Sequence, residues 1–102
     1  MNQKIKDKIC VLKNRYADDG ILILGVFGSY ARGEETEKSD IDLLYSCTEL
    51  AFKKYSGWEI FPVLEKVKTE LSQELGHKVD LADYDALSEI GKKYILPEVV
   101  YV

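Results

Sequence analysis

No apolar run in this chain approaches the roughly 20 residues that a membrane-spanning helix needs, and Met1-Asn2-Gln3-Lys4 opens no secretory signal. Cysteine occurs only at Cys10 and Cys47, without the spacing of a metal site, so reduced thiols and a cytoplasmic setting are expected. Positive charge is in deficit: 14 Lys and Arg against 18 Asp and Glu leave a net charge of −4. That balance argues against a protein that tracks nucleic-acid phosphates by counterion release, so direct nucleic-acid binding is not expected. A small nucleotide held through a metal ion remains compatible. Histidine occurs once, as His77, and its place at a strand start reads as exposed rather than catalytic. Repeats and low-complexity segments are absent. With 102 residues there is no room for a second domain, and one domain over residues 1–102 is expected.

What the chain does have is concentrated between residues 21 and 44. Ile21-Leu22-Ile23-Leu24-Gly25-Val26-Phe27 has almost no polar atoms and reads as a strand buried on both faces. Gly28-Ser29 then falls at the end of a central strand. Glycine permits a sharp turn there, and serine is a good first-turn cap for Tyr30-Ala31-Arg32-Gly33. A strand, a Gly-Ser turn and a helix start present backbone N–H groups to an anion, and phosphate is the usual guest.

The second half of the stretch carries the opposite charge. If Ile41-Asp42-Leu43-Leu44-Tyr45 is a strand, its period of two puts Asp40 and Asp42 on one face and Ile41 and Leu43 on the other. Two like charges about 5 Å apart repel by roughly 3 kcal/mol at an effective dielectric of 20, so the pair is a poor device for stability. A divalent cation removes the objection, because carboxylate oxygens suit Mg²⁺, which also binds substrate phosphates. A phosphate cradle beside a Mg²⁺ clamp is the minimal equipment for nucleotidyl transfer.

Farther on, His77-Lys78-Val79-Asp80-Leu81-Ala82 reads as a third strand, with Val79 and Leu81 on one face and Asp80 on the other. Asp80 is a candidate third metal ligand and a candidate base for the attacking hydroxyl; the alternative is a surface Asp on an edge strand. Gly28-Ser29-Tyr30-Ala31-Arg32-Gly33, then Ser39-Asp40-Ile41-Asp42-Leu43-Leu44, with Asp80 following, resembles the signature of the minimal nucleotidyltransferases, small members of the DNA polymerase beta-like superfamily. The resemblance covers roughly residues 5 to 95 and rests on a combined motif far more specific than a lone Asp-x-Asp. It implies a mixed sheet flanked by helices, with three acidic positions gathered at one end. It further implies catalytic roles for Ser29, Asp40, Asp42 and Asp80, two Mg²⁺ ions on the three aspartates, and nucleotide binding by Gly28, Ser29 and Arg32. The partners it implies are ATP and a HEPN-domain ribonuclease toxin in a hetero-oligomer, with this chain as an antitoxin that adenylylates a tyrosine of the toxin.

Along the rest of the chain, Ile5, Ile9, Leu12 and Tyr16 recur at helical spacing within residues 2–17, and Asp18-Asp19-Gly20 ends that helix. Arg32 is open between two roles, a phosphate contact and an ion pair with Asp40 or Glu34. Glu34 to Lys38 reads as a solvated link. Residues 46–57 lack a clean period and read as a loop with one helical turn. Ile60, Leu64, Val67, Leu71 and Leu75 predict a helix that stops at Gly76. Its start is ambiguous, since Ser56-x-x-Glu59 resembles a capping box while Pro62 predicts a kink or a start near Phe61. Trp58 is read as packing rather than base-stacking. Leu87, Ile90 and Tyr94 mark the inner side of a last helix, and the apolar tail Val99-Val100-Tyr101-Val102 is expected to be packed on something. The alternation predicts an α/β domain with a small three-stranded sheet and about four helices, its strand order open, and the resemblance implies that the sheet is mixed.

Two rival functions stand beside the enzyme reading. One is a non-catalytic antitoxin that acts by binding alone, for which the apolar tail is the only hint and against which three converging carboxylates speak. The other is an aminoglycoside-type enzyme acting on a small molecule, whose members usually carry an additional substrate domain.

Overall fold

Helix α1, Gln3–Ala17, begins where the Asn2 side chain accepts a hydrogen bond from the Ile5 amide, and it buries Ile5, Ile9, Leu12 and Tyr16. In the computed structural model, which describes residues 1–102, the order continues as β1 Ile21–Phe27, α2 Ser29–Arg32, β2 Ile41–Cys47, α3 Glu49–Lys54 and α4 Ile60–Leu75. β3 Val79–Asp83, α5 Glu89–Ile95 and β4 Val100–Tyr101 complete it. Short 3₁₀ turns at Gly57–Glu59, Tyr84–Ala86 and Leu96–Glu98 join the later elements.

The sheet runs β3-β2-β1-β4, with β2 parallel to β3 and β1 antiparallel to both β2 and β4. The expectation of three strands is therefore corrected to four, and that of about four helices to five. The extra strand is the apolar tail, which pairs Val100 with Val26 and Tyr101 with Gly25, while the Val102 amide donates to the Leu24 carbonyl at 3.1 Å. It lies flush because Gly25 has no side chain: a Cβ there would sit 2.6 Å from Val99 Cγ1. No helix is long and apolar enough to cross a membrane, and Cys10 and Cys47 are free.

α1 and α4 pack over one sheet face. Val67, Leu71 and Leu75 of α4 join Ile23 and Val26 of β1, Ile41, Leu43 and Tyr45 of β2 and Val79 of β3 in a single core. α4 stops at Gly76, which takes the left-handed conformation (φ 72°). Pro62 needs no kink, because it falls in the first turn of α4, where an N–H has no intrahelical partner anyway.

Four other expectations change. Leu22 is exposed, so β1 is not buried on both faces along its whole length. Residues 46–57 contain the end of β2, α3 and a 3₁₀ turn rather than a loop with one turn. Trp58 is 84% exposed, with its ring 5.6 Å from that of Phe61, centroid to centroid, because it precedes α4 on the outside of the core. Ile90 and Tyr94 are 70% and 69% exposed. α5 starts at Glu89, capped by the Ser88 hydroxyl on the Gly91 amide, and so leaves Leu87 outside the helix.

A carboxylate-lined corner at the end of the central strands

Gly28 turns the chain out of β1 with φ 75° and ψ −153°, a conformation that side chains with a Cβ rarely adopt. A second constraint acts at the same atom. A Cβ on Gly28 would lie 2.3 Å from Asp42 Oδ2, so the glycine also lets that carboxylate settle against the turn. Ser29 is the first residue of α2, and Gly28, not Ser29, is its cap residue. Only four residues long, α2 owes its position to Tyr30, which is 3% exposed and meets the half-buried His77 ring edge-on at 5.7 Å. Gly33 (φ 72°) then ends the turn.

The charged link folds back on itself through a 2.8 Å bond from the Thr36 amide to the Ser39 hydroxyl. Asp40 follows, just ahead of β2, and the Ile41 amide donates to the Lys78 carbonyl at 2.8 Å where β2 meets β3. In this parallel register Asp42 is the direct partner of Asp80, and across the other neighbour it pairs with Phe27, next to Gly28. Asp42 is thus flanked by Asp80 on one side and the Gly28 turn on the other.

Electrostatics single out Asp42. Its pKa is raised above the ordinary carboxylate value, first by burial and then by the charges of Asp80, Asp40 and Glu98, with Arg32 opposing them. The flanking carboxylates have cationic partners: Lys78 Nζ stands 3.7 Å from Asp40, and Lys68 Nζ stands 3.6 Å from Asp80. No three acidic, histidine or cysteine side chains are gathered closely enough to enclose an ion between them. The donor set still fits a hard divalent cation, because it is all carboxylate oxygen and its central member is destabilised by its neighbours' charge.

Arg32 pairs not with Asp40 but with two glutamates: its Nε donates to Glu34 Oε2 and its Nη1 to Glu98 Oε2, both at 3.0 Å. The other Glu98 oxygen accepts from the Gly28 amide at 3.0 Å. Sequence reasoning missed Glu98, Lys68 and Lys78. The only available signal for the first was an acidic residue between Pro97 and an otherwise apolar tail; the two lysines sit in charged surroundings that mark nothing.

Beside Asp80, between α4 and β3, lies a groove of about 250 Å³ floored by Tyr45, Leu64 and Leu81, with Phe61 and Lys68 at its rim. The corner therefore combines a tight backbone turn, three carboxylates at one end of the sheet and a groove leading to the outermost of them.

The family model described as polymerase beta, nucleotidyltransferase matches residues 6–101. A chain of Methanocaldococcus jannaschii that carries the name of a candidate protein adenylyltransferase is 36% identical over 94 residues, spanning 90% of this chain and 84% of that one. The protein adenylyltransferase MntA of Thermococcus cleftensis is 40% identical over 83 residues, spanning 81% of this chain and 76% of its own length. Among solved structures, one described as a minimal nucleotidyltransferase superposes with a TM-score of 0.77 at 26% identity, covering 98% of this chain and 94% of that one. A chain from a toxin–antitoxin pair solved with AMP-PNP shares the fold, with a TM-score of 0.64 at 20% identity over 99% of this chain and 72% of that one.

Proposed function

The chain belongs to the minimal nucleotidyltransferases of the polymerase beta family, and from that premise we propose that it transfers AMP from ATP to a tyrosine hydroxyl of a partner protein. In this reading the partner is a HEPN-domain ribonuclease toxin, and the chain is the antitoxin of the pair. The observation that carries the reading is the half-buried Asp42, seated against the Gly28 turn with its pKa raised by burial and by the neighbouring carboxylates. Such an arrangement opposes folding stability and makes sense where charge is needed for chemistry.

Gly28 shapes the turn and Ser29 holds the leaving phosphates, through the backbone N–H groups that follow Gly28 and through the serine hydroxyl. Arg32, held on two sides, offers its remaining N–H groups to the same phosphates. Asp40, Asp42 and Asp80 are the residues that would hold Mg²⁺, two ions in this reading, which when bound supplies charge stabilisation to the phosphates and to the attacking and leaving oxygens. Asp80 accepts the proton of the acceptor hydroxyl, whose oxygen forms a bond to the α-phosphorus. The bond from that phosphorus to the bridging oxygen breaks, and pyrophosphate leaves with the electron pair. The cytoplasm is the proposed setting, in keeping with two free thiols.

The binding-only reading loses its one sequence hint, because the apolar tail is used within the domain as β4. The test is intact mass spectrometry of the neighbouring HEPN protein before and after incubation with this chain, ATP and Mg²⁺. Adenylyl mass on a tyrosine is expected, lost with Asp40→Ala or Asp42→Ala and only slowed with Ser29→Ala, where the backbone N–H groups remain. A neutralised partner with no added mass, and Asp variants that still protect cells, would replace the enzyme by a binding protein.

A further inference from the structure

Glu98 is 70 positions away from Gly28 in sequence, yet its carboxylate joins the Gly28 amide and the Arg32 guanidinium, the two ends of the turn. We propose that Glu98 is a positioning residue for the nucleotide-binding corner, fixing the Gly28 backbone with one oxygen and the Arg32 guanidinium with the other. The proposal rests on the reading of that corner as the phosphate site.

Both bonds are 3.0 Å long and use separate oxygens, so the carboxylate acts as a rigid bridge rather than a shared acceptor. Glu98 is itself held in place. It ends the 3₁₀ turn Leu96–Glu98, its side chain is only 27% exposed, and two residues later Val100 pairs with Val26 of β1. β4 therefore delivers the carboxylate to the end of the very strand from which the turn emerges. On its other side Arg32 is held through Nε by Glu34, so a long, exposed side chain is constrained at two points. Arginine has five N–H donors, and this clamp leaves others of them available in a defined orientation. A rigid guanidinium loses less freedom on binding an anion than a free one.

The test compares the parent chain with Glu98→Gln and Glu98→Ala. The glutamine variant keeps the shape and an acceptor for the Gly28 amide but removes the charge facing Arg32. Its affinity for ATP with Mg²⁺, measured by calorimetry, is expected to fall by about tenfold, the size of one charge-assisted hydrogen bond. In an Arg32→Ala background the same change should have little further effect, because the two residues act through one contact. Hydrogen exchange of the Gly28 amide without nucleotide is expected to quicken in Glu98→Ala. A purely structural Glu98 would lower the melting temperature while the folded variants kept the parent affinity. Tighter ATP binding by Glu98→Gln would instead make Glu98 an occupant of the phosphate site. Either result overturns the proposal. If the parent chain binds no ATP at all, the nucleotidyltransferase reading of the site fails, and the amide exchange still decides the bridge: unchanged exchange in Glu98→Ala overturns it, and faster exchange supports it.

Discussion

Replacing Asp42 by asparagine should make this protein more stable and less able to work. Asp42 and Asp80 are register partners on adjacent parallel strands, and such strands lie about 4.8 Å apart, so the two carboxylates are separated by roughly 5 Å. At an effective dielectric of 20 their bare repulsion is about 3 kcal/mol. The Asp80 side chain is 42% exposed and leans on Lys68, so screening and the counter-charge remove much of this and leave on the order of 1 kcal/mol. Burial of the Asp42 charge acts in the same direction. Asparagine keeps the shape, loses the charge and should raise the melting temperature near neutral pH by about 4–8 °C for a domain of this size. The pH dependence has a definite sign. Because the pKa of Asp42 is raised in the fold, its ionised form is penalised there, and that penalty is fully present only above the raised folded value. As pH falls through the raised folded value and below the unfolded value of about 3.9, Asp42 becomes protonated in both states, and the difference between parent and variant should shrink towards zero. Thermal denaturation of both proteins near neutral pH and near pH 4, without metal or nucleotide, measures this. The same variant should show a smaller rise in melting temperature than the parent when Mg²⁺ and ATP are added. An Asn variant that is no more stable than the parent near neutral pH, or whose advantage persists in acid, would refute the electrostatic argument.

Three further outcomes are expected. Gly28→Ala should destabilise by about 1–3 kcal/mol, since it forces both a positive φ and a displacement of Asp42, and chemical denaturation with an ATP titration would detect both effects. Deleting residues 98–102 removes β4 and should lower stability by about 2 kcal/mol or more, read by thermal melting; an unchanged melt would mean that the tail is not paired to β1. Tyr45 is buried, and burial followed by the nearby Asp83 charge pushes its pKa up to about 12. Its phenolate is disfavoured in the fold, so stability should fall as pH rises from about 10 towards 12, and ultraviolet titration should find a phenol signal near 12 that is lost in Tyr45→Phe.

Much of this protein was legible without coordinates because the relevant signals are local. The apolar stripe Ile5, Ile9, Leu12 and Tyr16, and the run ending in Val67, Leu71 and Leu75, state their helices through spacing alone, and both stripes lie in the core. The period of two in Ile41-Asp42-Leu43 and Val79-Asp80-Leu81 orients the candidate aspartates opposite the buried aliphatics, since alternation follows from backbone geometry. Glycine next to serine at a strand end likewise announces a turn. None of these signals contains the register of one strand on another, so sequence alone did not pair Asp42 with Asp80. Tertiary structure decided that, and it decided everything arranged by residues far apart along the chain. It turned the tail into a fourth strand because Gly25 leaves a flat place for it, and it set α5 in a phase that exposes Ile90 and Tyr94. It brought Lys68 to Asp80, Lys78 to Asp40 and Glu98 to Gly28 and Arg32. A lone charge in sequence is compatible with any partner within reach of its side chain, and only the packing of the strands and helices that carry the charges selects one.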